Sequence, residues 1–268
     1  MKIAIIQMTS AADVVANIDY LTYQIREAAS NGAVFISTPE NSDFMSEDEV
    51  KRDAHMFDEH DHPFIAHFKN LAKELKVWIH LGSIKIKSDD RKKYNRSYLI
   101  SDEGDIVAHY NKIHLFDVDL PSGETRRESS SIKAGNKAVD VQTEIGHFGM
   151  TVCYDIRFPH LYRTLAQAGA HILLVPAAFT VPTGEMHWEV LLRARAIENG
   201  AYVIAAAQCG VHDGGRKTYG HSMVINPWGK VIAEAGNEPT ILYEDIDQKE
   251  IANFRSAIPS LRHDRDIT

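Results

Sequence analysis

Apolar positions along this chain switch between two periods. Met1 to Met8 is a short apolar run, as expected of a buried first strand. From Ile18 the apolar residues step by three and four through Leu21, Ile25 and Ala28, which predicts a helix. Asp13 and Asn17 are candidate caps for its start, and Asn31-Gly32 ends it. Ala33 to Pro39 reads as a second strand, Pro63 to Leu75 as a helix and Val77 to Ile86 as a strand. Apolar runs at 98–101 and 106–110 flank Asp102-Glu103-Gly104-Asp105, a hairpin signal. Residues 115–135 are largely polar and carry Pro121, Gly123 and Gly135, which predicts a long loop. A loop of that length in a compact domain is more often functional than idle.

The alternation continues downstream. A strand leads to Cys153, Pro159 opens a helix to Ala168, and Gly169 stops it. Ile172 to Pro176 and Tyr202 to Ala207 read as strands, with a helix predicted over 186–198 between them. Strand signals at 222–226 and 231–235 flank Pro227-Trp228-Gly229-Lys230, and a strand (241–246) and a helix (248–257) follow. Helices and strands alternate, then strands pair locally, which predicts an α/β fold with mixed sheets. No repeat, linker or low-complexity tract divides the chain, so one domain over residues 1–268 is expected.

Composition narrows the classes. Hydrophobic content of 44% and charged content of 25% are ordinary for a globular protein. A net charge of −8 argues against nucleic-acid binding through the surface as a whole. No apolar run approaches the ~18 residues of a membrane span. Four apolar residues after Lys2 are too few for a signal-peptide core, so the expected location is the cytoplasm. Two cysteines, Cys153 and Cys209, make no disulfide framework.

Three reactive groups follow strand-like runs: Glu40, Lys112 and Cys153. Ligands of open α/β sheets bind beyond the carboxyl ends of strands. A carboxylate, an ammonium and a thiol gathered there could act as general base, charge stabiliser and nucleophile. Cys153 lies between a strand and a helix start, where a helix N-terminus and a nearby ammonium would favour its thiolate. The Tyr154 backbone N–H could hold an oxyanion. Each group also has a plainer reading: a space-filling cysteine, a solvated lysine, a carboxylate in a turn. Cys209 reads as core. His55, His60 and His62 match no metal spacing and read as a solvated turn; His114, His187 and His221 read as structural, although a Cys–His pair stays open.

Three segments carry a family resemblance: Thr38-Pro39-Glu40, the run from Tyr110 to Asp117, and the run from Gly149 to Pro159. In this order they resemble the nitrilase superfamily of carbon–nitrogen hydrolases. The resemblance implies an α-β-β-α sandwich that pairs as a homodimer, and a Glu40–Lys112–Cys153 triad. It implies a second glutamate, matched by Glu128 rather than Glu124, and no metal or cofactor. The segments 187–198, 205–210 and 219–224 look like the deaminated glutathione amidase branch, whose substrate yields 2-oxoglutarate and cysteinylglycine. The omega-amidase branch, which cleaves 2-oxoglutaramate, is similar; a nitrile hydrolase or a non-catalytic binding subunit are the other readings. Phe179 and Thr183 match substrate-contacting positions, and Arg157 is the candidate fork for a substrate carboxylate. The sequence departs from the family pattern at Ala134 and His160.

Overall fold

The computed structural model describes residues 1–120, 123 and 125–265; Pro121 and Glu124 lie outside the described residues. Its framework is two six-stranded sheets. The first contains β1 (Lys2–Gln7), β2 (Phe35–Ser37), β3 (Trp78–Lys87), β4 (Lys93–Ile100) and β5 (Ile106–Asn111) in that spatial order, with Thr240–Asp245 outside β1. Strands β1, β2 and β3 are parallel and the rest of this sheet is antiparallel. In the second sheet, Gly146–Met150, Ile172–Leu174 and Tyr202–Ala205 are parallel, flanked by antiparallel Val139–Thr143 and the hairpin Met223–Ile225/Val231–Glu234.

The period of two in each strand divides the core. Ile3 and Ile5 of β1 face Phe148, Met150 and Leu174 between the sheets, whereas Ala4 and Ile6 face helices. Those helices are α1 (Val14–Ser30) and α3 (Pro63–Leu75), which bring Leu21, Ile25, Phe64, Phe68 and Leu71 onto the outer face of the first sheet. On the far side α4 (Pro159–Gln167) and α5 (Val181–Asn199) bury Leu161, Leu165, Trp188 and Leu192 against the second sheet. The layers are therefore α-β-β-α, as the resemblance implies, with mixed sheets. Asp13 caps α1 by accepting from the Val15 and Ala16 amides. Among the described residues no helix is long and apolar enough to cross a membrane.

The structure corrects several local expectations. The 115–135 stretch is not featureless: Asp117–Asp119 pairs with Thr125–Arg127, and a 3₁₀ turn spans Glu128–Ser130. Helix α5 starts at Val181, five residues before the periodic pattern. Pro182 sits in its first turn, where a proline is tolerated. Gly184, in the same turn, lets Tyr219 pack close, since a Cβ there would lie 2.3 Å from the Tyr219 ring. A short helix, α2 (Glu49–Ala54), has no buried residue and so left no apolar stripe to read, and α6 (Gln248–Ala257) falls where predicted.

The solvated turn expected around His55, His60 and His62 is wrong for two of the three. His55 and His62 are buried against Asp43, with His55 Nε2 2.6 Å from Asp43 Oδ2 and His62 Nε2 at 3.5 Å. Only His60 is exposed. Burial alone would raise the Asp43 carboxyl, but the hydrogen bond from His55 and the close His62 ring hold it far below the usual carboxylate range. This Asp–His–His group ties the segment after Glu40 to the start of α3. The three side chains also lie close enough to suggest a metal site. The local hydrogen bonds argue otherwise: the Phe64 amide donates to His62 Nδ1, leaving its Nε2 as the protonated nitrogen.

Gly82 sets the distance between the sheets' ends. A Cβ there would meet Thr38 O at 2.0 Å, Pro39 O at 2.5 Å and Pro176 Cβ at 2.6 Å. Gly82→Ala should therefore cost about 3 kcal/mol or more, the upper range for forced overpacking. Urea unfolding will read this as a lower midpoint at similar slope; an unchanged midpoint would refute the packing argument.

Candidate active site

Three backbone devices aim the reactive groups. Past β2, the Thr38 amide donates to His80 O (2.9 Å), and Ser83 holds the next turn through its carbonyl and hydroxyl. Asn41 follows Glu40 with φ of 58°, and the chain reverses there. Past β5, the Lys112 amide donates to Asn95 O (2.9 Å), which extends the ladder by one residue and turns Lys112 inward. Past Gly146–Met150, the chain makes a sharp elbow: Cys153 has φ of 50° and opens a 3₁₀ turn, Cys153–Arg157. That left-handed conformation costs about 1–3 kcal/mol for a non-glycine residue and is typical of active sites. The Cys153 amide holds it by donating to Pro176 O at 2.8 Å.

The side chains converge in a cavity of about 640 Å³. Lys112 Nζ donates to Glu40 Oε1 at 3.0 Å and to Glu128 Oε2 and Oε1 at 2.9 and 3.2 Å. Asn95 Nδ2 donates to Glu40 Oε1 at 2.7 Å and to Glu128 Oε1 at 3.2 Å. The Ala178 amide donates to Glu40 Oε2 at 2.9 Å, and Phe116 N to Glu128 Oε2 at 2.7 Å. Glu40, Lys112 and Cys153 are almost fully buried.

Electrostatics fixes the resting protonation. Burial alone would raise the Glu40 carboxyl, but the Lys112 ammonium, then Lys85 and the hydrogen bonds from Cys153 and Lys112, hold it at about 2. Burial alone would lower Lys112, but Glu128 and Glu40 hold it well above the usual lysine value. Burial, then the Glu40 charge, pushes the Cys153 thiol well up, and Lys112 opposes this only in part. The resting site is thus carboxylate, ammonium and neutral thiol. This corrects the expectation that a helix N-terminus favours the thiolate: the turn after Cys153 is a short 3₁₀ turn, and the adjacent carboxylate wins.

Of the other residues singled out in the sequence, Glu128, Tyr154, Phe179 and Thr183 all line the cavity. Arg157 does not. Its guanidinium lies over the rings of Tyr154 (5.8 Å) and Phe179 (5.6 Å) and 3.3 Å from His187 Nδ1. It braces two lining aromatics instead of reaching into the cavity. His114 is engaged by Asp155 (2.7 Å) and stacked on Phe158, away from any Cys–His pairing. Cys209 is fully buried beside Thr9, as expected of core. His160 packs edge-on to His114 and Phe158, so this departure from the family pattern fills a ring cluster.

Sequence reasoning missed Asn95, Gln208 and Asp155. Gln208 Nε2 donates to Glu40 O at 2.9 Å and reaches from the second sheet to the first. Asp155 is the hub between the strand end of Lys112 and the elbow of Cys153. Its Oδ2 accepts from Tyr110 Oη (2.7 Å) and Val152 N (2.8 Å), and its Oδ1 from His114 N (3.0 Å) and Nδ1. Asp155 lies two residues past the candidate nucleophile, a position from which it could have been suspected.

The match to known proteins agrees with this arrangement. Residues 2–256 match the family model described as carbon-nitrogen hydrolase. The chain is 40% identical over 265 residues to a deaminated glutathione amidase of Synechocystis sp., covering 97% of this chain and 96% of that protein. It is 40% identical over 268 residues to the Homo sapiens deaminated glutathione amidase, covering 98% of this chain and 82% of the human one. The solved C. elegans NitFhit protein superimposes with a TM-score of 0.91 at 36% identity over 98% of this chain. The match spans 65% of the NitFhit chain, just under two thirds.

Two outcomes follow from the geometry. Asp155→Asn places an amide N–H₂ against donors that need acceptors, so stability should fall by about 1–3 kcal/mol, and turnover should fall with it because the Cys153 elbow loosens. Denaturant titration alongside kcat reads both. Glu40 and Asp43 have folded pKa values below their ordinary 4.5 and 3.8. Their stabilisation is complete above those values and is lost as pH falls below them, because the unfolded chain then binds more protons. Stability measured from neutral pH downward should drop steeply below about pH 4.5 with net proton uptake on unfolding; a flat profile would contradict the shifts.

Proposed function

Because this chain belongs to the carbon–nitrogen hydrolase family and is a hydrolase acting on amides, we propose that Glu40, Lys112 and Cys153 are its catalytic triad. We propose further that its substrate is deaminated glutathione, cleaved to 2-oxoglutarate and cysteinylglycine. The observation that carries the mechanism is the buried contact of carboxylate, ammonium and thiol in one cavity. The near-full-length identity to deaminated glutathione amidases carries the substrate.

Glu40, unprotonated at neutral pH, takes the proton from the Cys153 thiol as sulfur attacks the amide carbon. The carbonyl electron pair moves onto oxygen. Lys112 and the Tyr154 N–H receive that oxyanion. Lys112 makes two contacts to Glu128, so one donor can turn to the oxyanion while each carboxylate keeps a partner. The tetrahedral centre collapses, the C–N bond breaks, and Glu40 gives its proton to the departing nitrogen. A thioester remains on Cys153. Glu40 then takes a proton from water as water oxygen attacks the thioester, the C–S bond breaks, and Glu40 returns the proton to sulfur. Glu128 orients Lys112 throughout. Phe179 and Thr183 bound the substrate, and Arg157 holds the Phe179 ring from outside the cavity. No metal or cofactor enters this scheme. The chain is taken to act as one domain, paired as a homodimer, in the cytoplasm.

The test is a product assay on purified protein comparing kcat/KM for deaminated glutathione and 2-oxoglutaramate, with a matched nitrile as a third arm. Higher kcat/KM for deaminated glutathione supports the proposed substrate; the reverse assigns the omega-amidase activity. Cys153→Ala should fold and lose turnover. Glu40→Gln should lose about 100- to 10,000-fold in kcat, the range for a general acid–base group. Normal turnover in either variant overturns the triad. A mass increase on Cys153 matching an acyl group, trapped at acid quench, identifies the thioester.

A further inference from the structure

We propose that Lys85 is a specificity-determining residue of this cavity, its ammonium receiving a carboxylate carried by the amide substrate. The inference rests on the amidase reading above. It starts from the alternation of β3. Ile84 and Ile86 are buried in the core under α1 and α3, so Lys85 between them projects to the opposite face, where it lines the cavity. An irregularity in the β3–β4 pairing between Leu81 and Ile84 lies just before it. The Lys85 backbone N–H donates to Asp43 Oδ2 at 3.0 Å, which fixes the point from which the side chain departs.

The other cations lining the cavity are engaged. Lys112 holds Glu40 and Glu128. Arg126 lies 2.6 Å from Glu47, Arg127 2.8 Å from Asp119, Arg52 3.5 Å from Glu49, and Arg216 3.9 Å from Glu47. Lys93 donates to the Arg52 carbonyl. Among the described residues, Lys85 Nζ alone of this group has neither a hydrogen bond nor a carboxylate within salt-bridge distance. An ammonium has three donors, and leaving a partly buried one unpaired is costly. Burial accordingly lowers the Lys85 pKa despite nearby Glu128, Glu40 and Asp43. A substrate anion would supply the partner the protein does not. Arg157, the sequence candidate for this task, stays outside the cavity, so Lys85 takes over the assignment.

A plainer role also exists. Lys85 contributes to the field that holds Glu40 ionised. Removing it would then slow every amide alike, so a ratio between substrates separates the two roles. One arm compares succinamate with butyramide, which differ by an acyl-side carboxylate. A second compares N-butyrylglycine with N-isobutylbutyramide, which differ by a carboxylate on the leaving amine. In Lys85→Met and Lys85→Gln, the charged-to-neutral ratio of kcat/KM should fall about 10- to 100-fold in one arm, mainly through KM. The arm that falls identifies which carboxylate Lys85 receives. Ratios within twofold of wild type in both arms overturn the proposal, including when all rates drop together.

Glutarate binding to Cys153→Ala protein, by calorimetry, supplies a readout independent of turnover. It should weaken about tenfold or more on adding either Lys85 substitution when the carboxylate is acyl-side. If wild type cleaves neither deaminated glutathione nor any of the four amides, the substrate reading above fails, and Lys85 is judged by glutarate binding to Cys153→Ala, where unchanged affinity overturns it; where the leaving-amine ratio alone falls, unchanged glutarate affinity is the expected result.

Discussion

The Lys112 ammonium, shared between Glu40 and Glu128 in a nearly dry site, is the contact on which the rest depends. Two carboxylates and one ammonium carry a net negative charge into the interior, and removing one partner of such a group is far more costly than its net worth suggests. The surrounding structure reads as the means of tolerating it. Asn95 donates to both glutamates, and the Ala178 and Phe116 amides complete their lone pairs. These donors come from β4, from the segment after Ile172–Leu174 and from the 115–135 stretch. Holding one charge cluster thus fixes three distant pieces of backbone relative to each other.

The same cluster explains why the sulfur rests as a thiol. A thiolate beside ionised Glu40 would add a third negative charge within reach of the Lys112 ammonium. The site instead keeps the proton on sulfur beside an ionised carboxylate, so a proton passing between the two would leave the site's total charge unchanged. The strained Cys153 elbow serves that exchange by placing the sulfur against Glu40 and the Ala178 amide together.

Much of this was legible in the sequence, for a physical reason. Glu40, Lys112 and Cys153 each follow an apolar run, and the rule that ligands gather beyond strand ends brings them together; that the ends belong to two facing sheets, and that β5 pairs antiparallel with its neighbour, depended on the folded chain. The layer order follows from period-two strands between period-3.6 helices. What was not legible depended on contacts between residues far apart. The burial of His55 and His62 depends on Asp43, and nothing in their polar neighbourhood marks a core. Arg157 is near Cys153 in sequence but is diverted by two aromatic rings. Lys85 looks like one more lysine in a Lys-rich stretch until the strand's bulge and its two apolar neighbours settle which face it takes. Asp155 joins two segments that only the folded chain makes adjacent.

The outer strand of the first sheet has a consequence for biosynthesis. β1 emerges early, yet its outer neighbour, Thr240–Asp245, is encoded far downstream. While the chain is being made, the N-terminal sheet therefore carries an open ladder edge, the kind of surface that recruits other strands. Meanwhile the segment bearing the sulfur belongs to a different sheet. The sheet behind Glu40 and Lys112 and the sheet behind Cys153 are completed only by Thr240–Asp245 and Val231–Glu234, both late in the chain. A chain lacking Thr240–Asp245 presents an unpaired edge prone to aggregation, so the length of its exposed period is set by how fast the remaining residues are added.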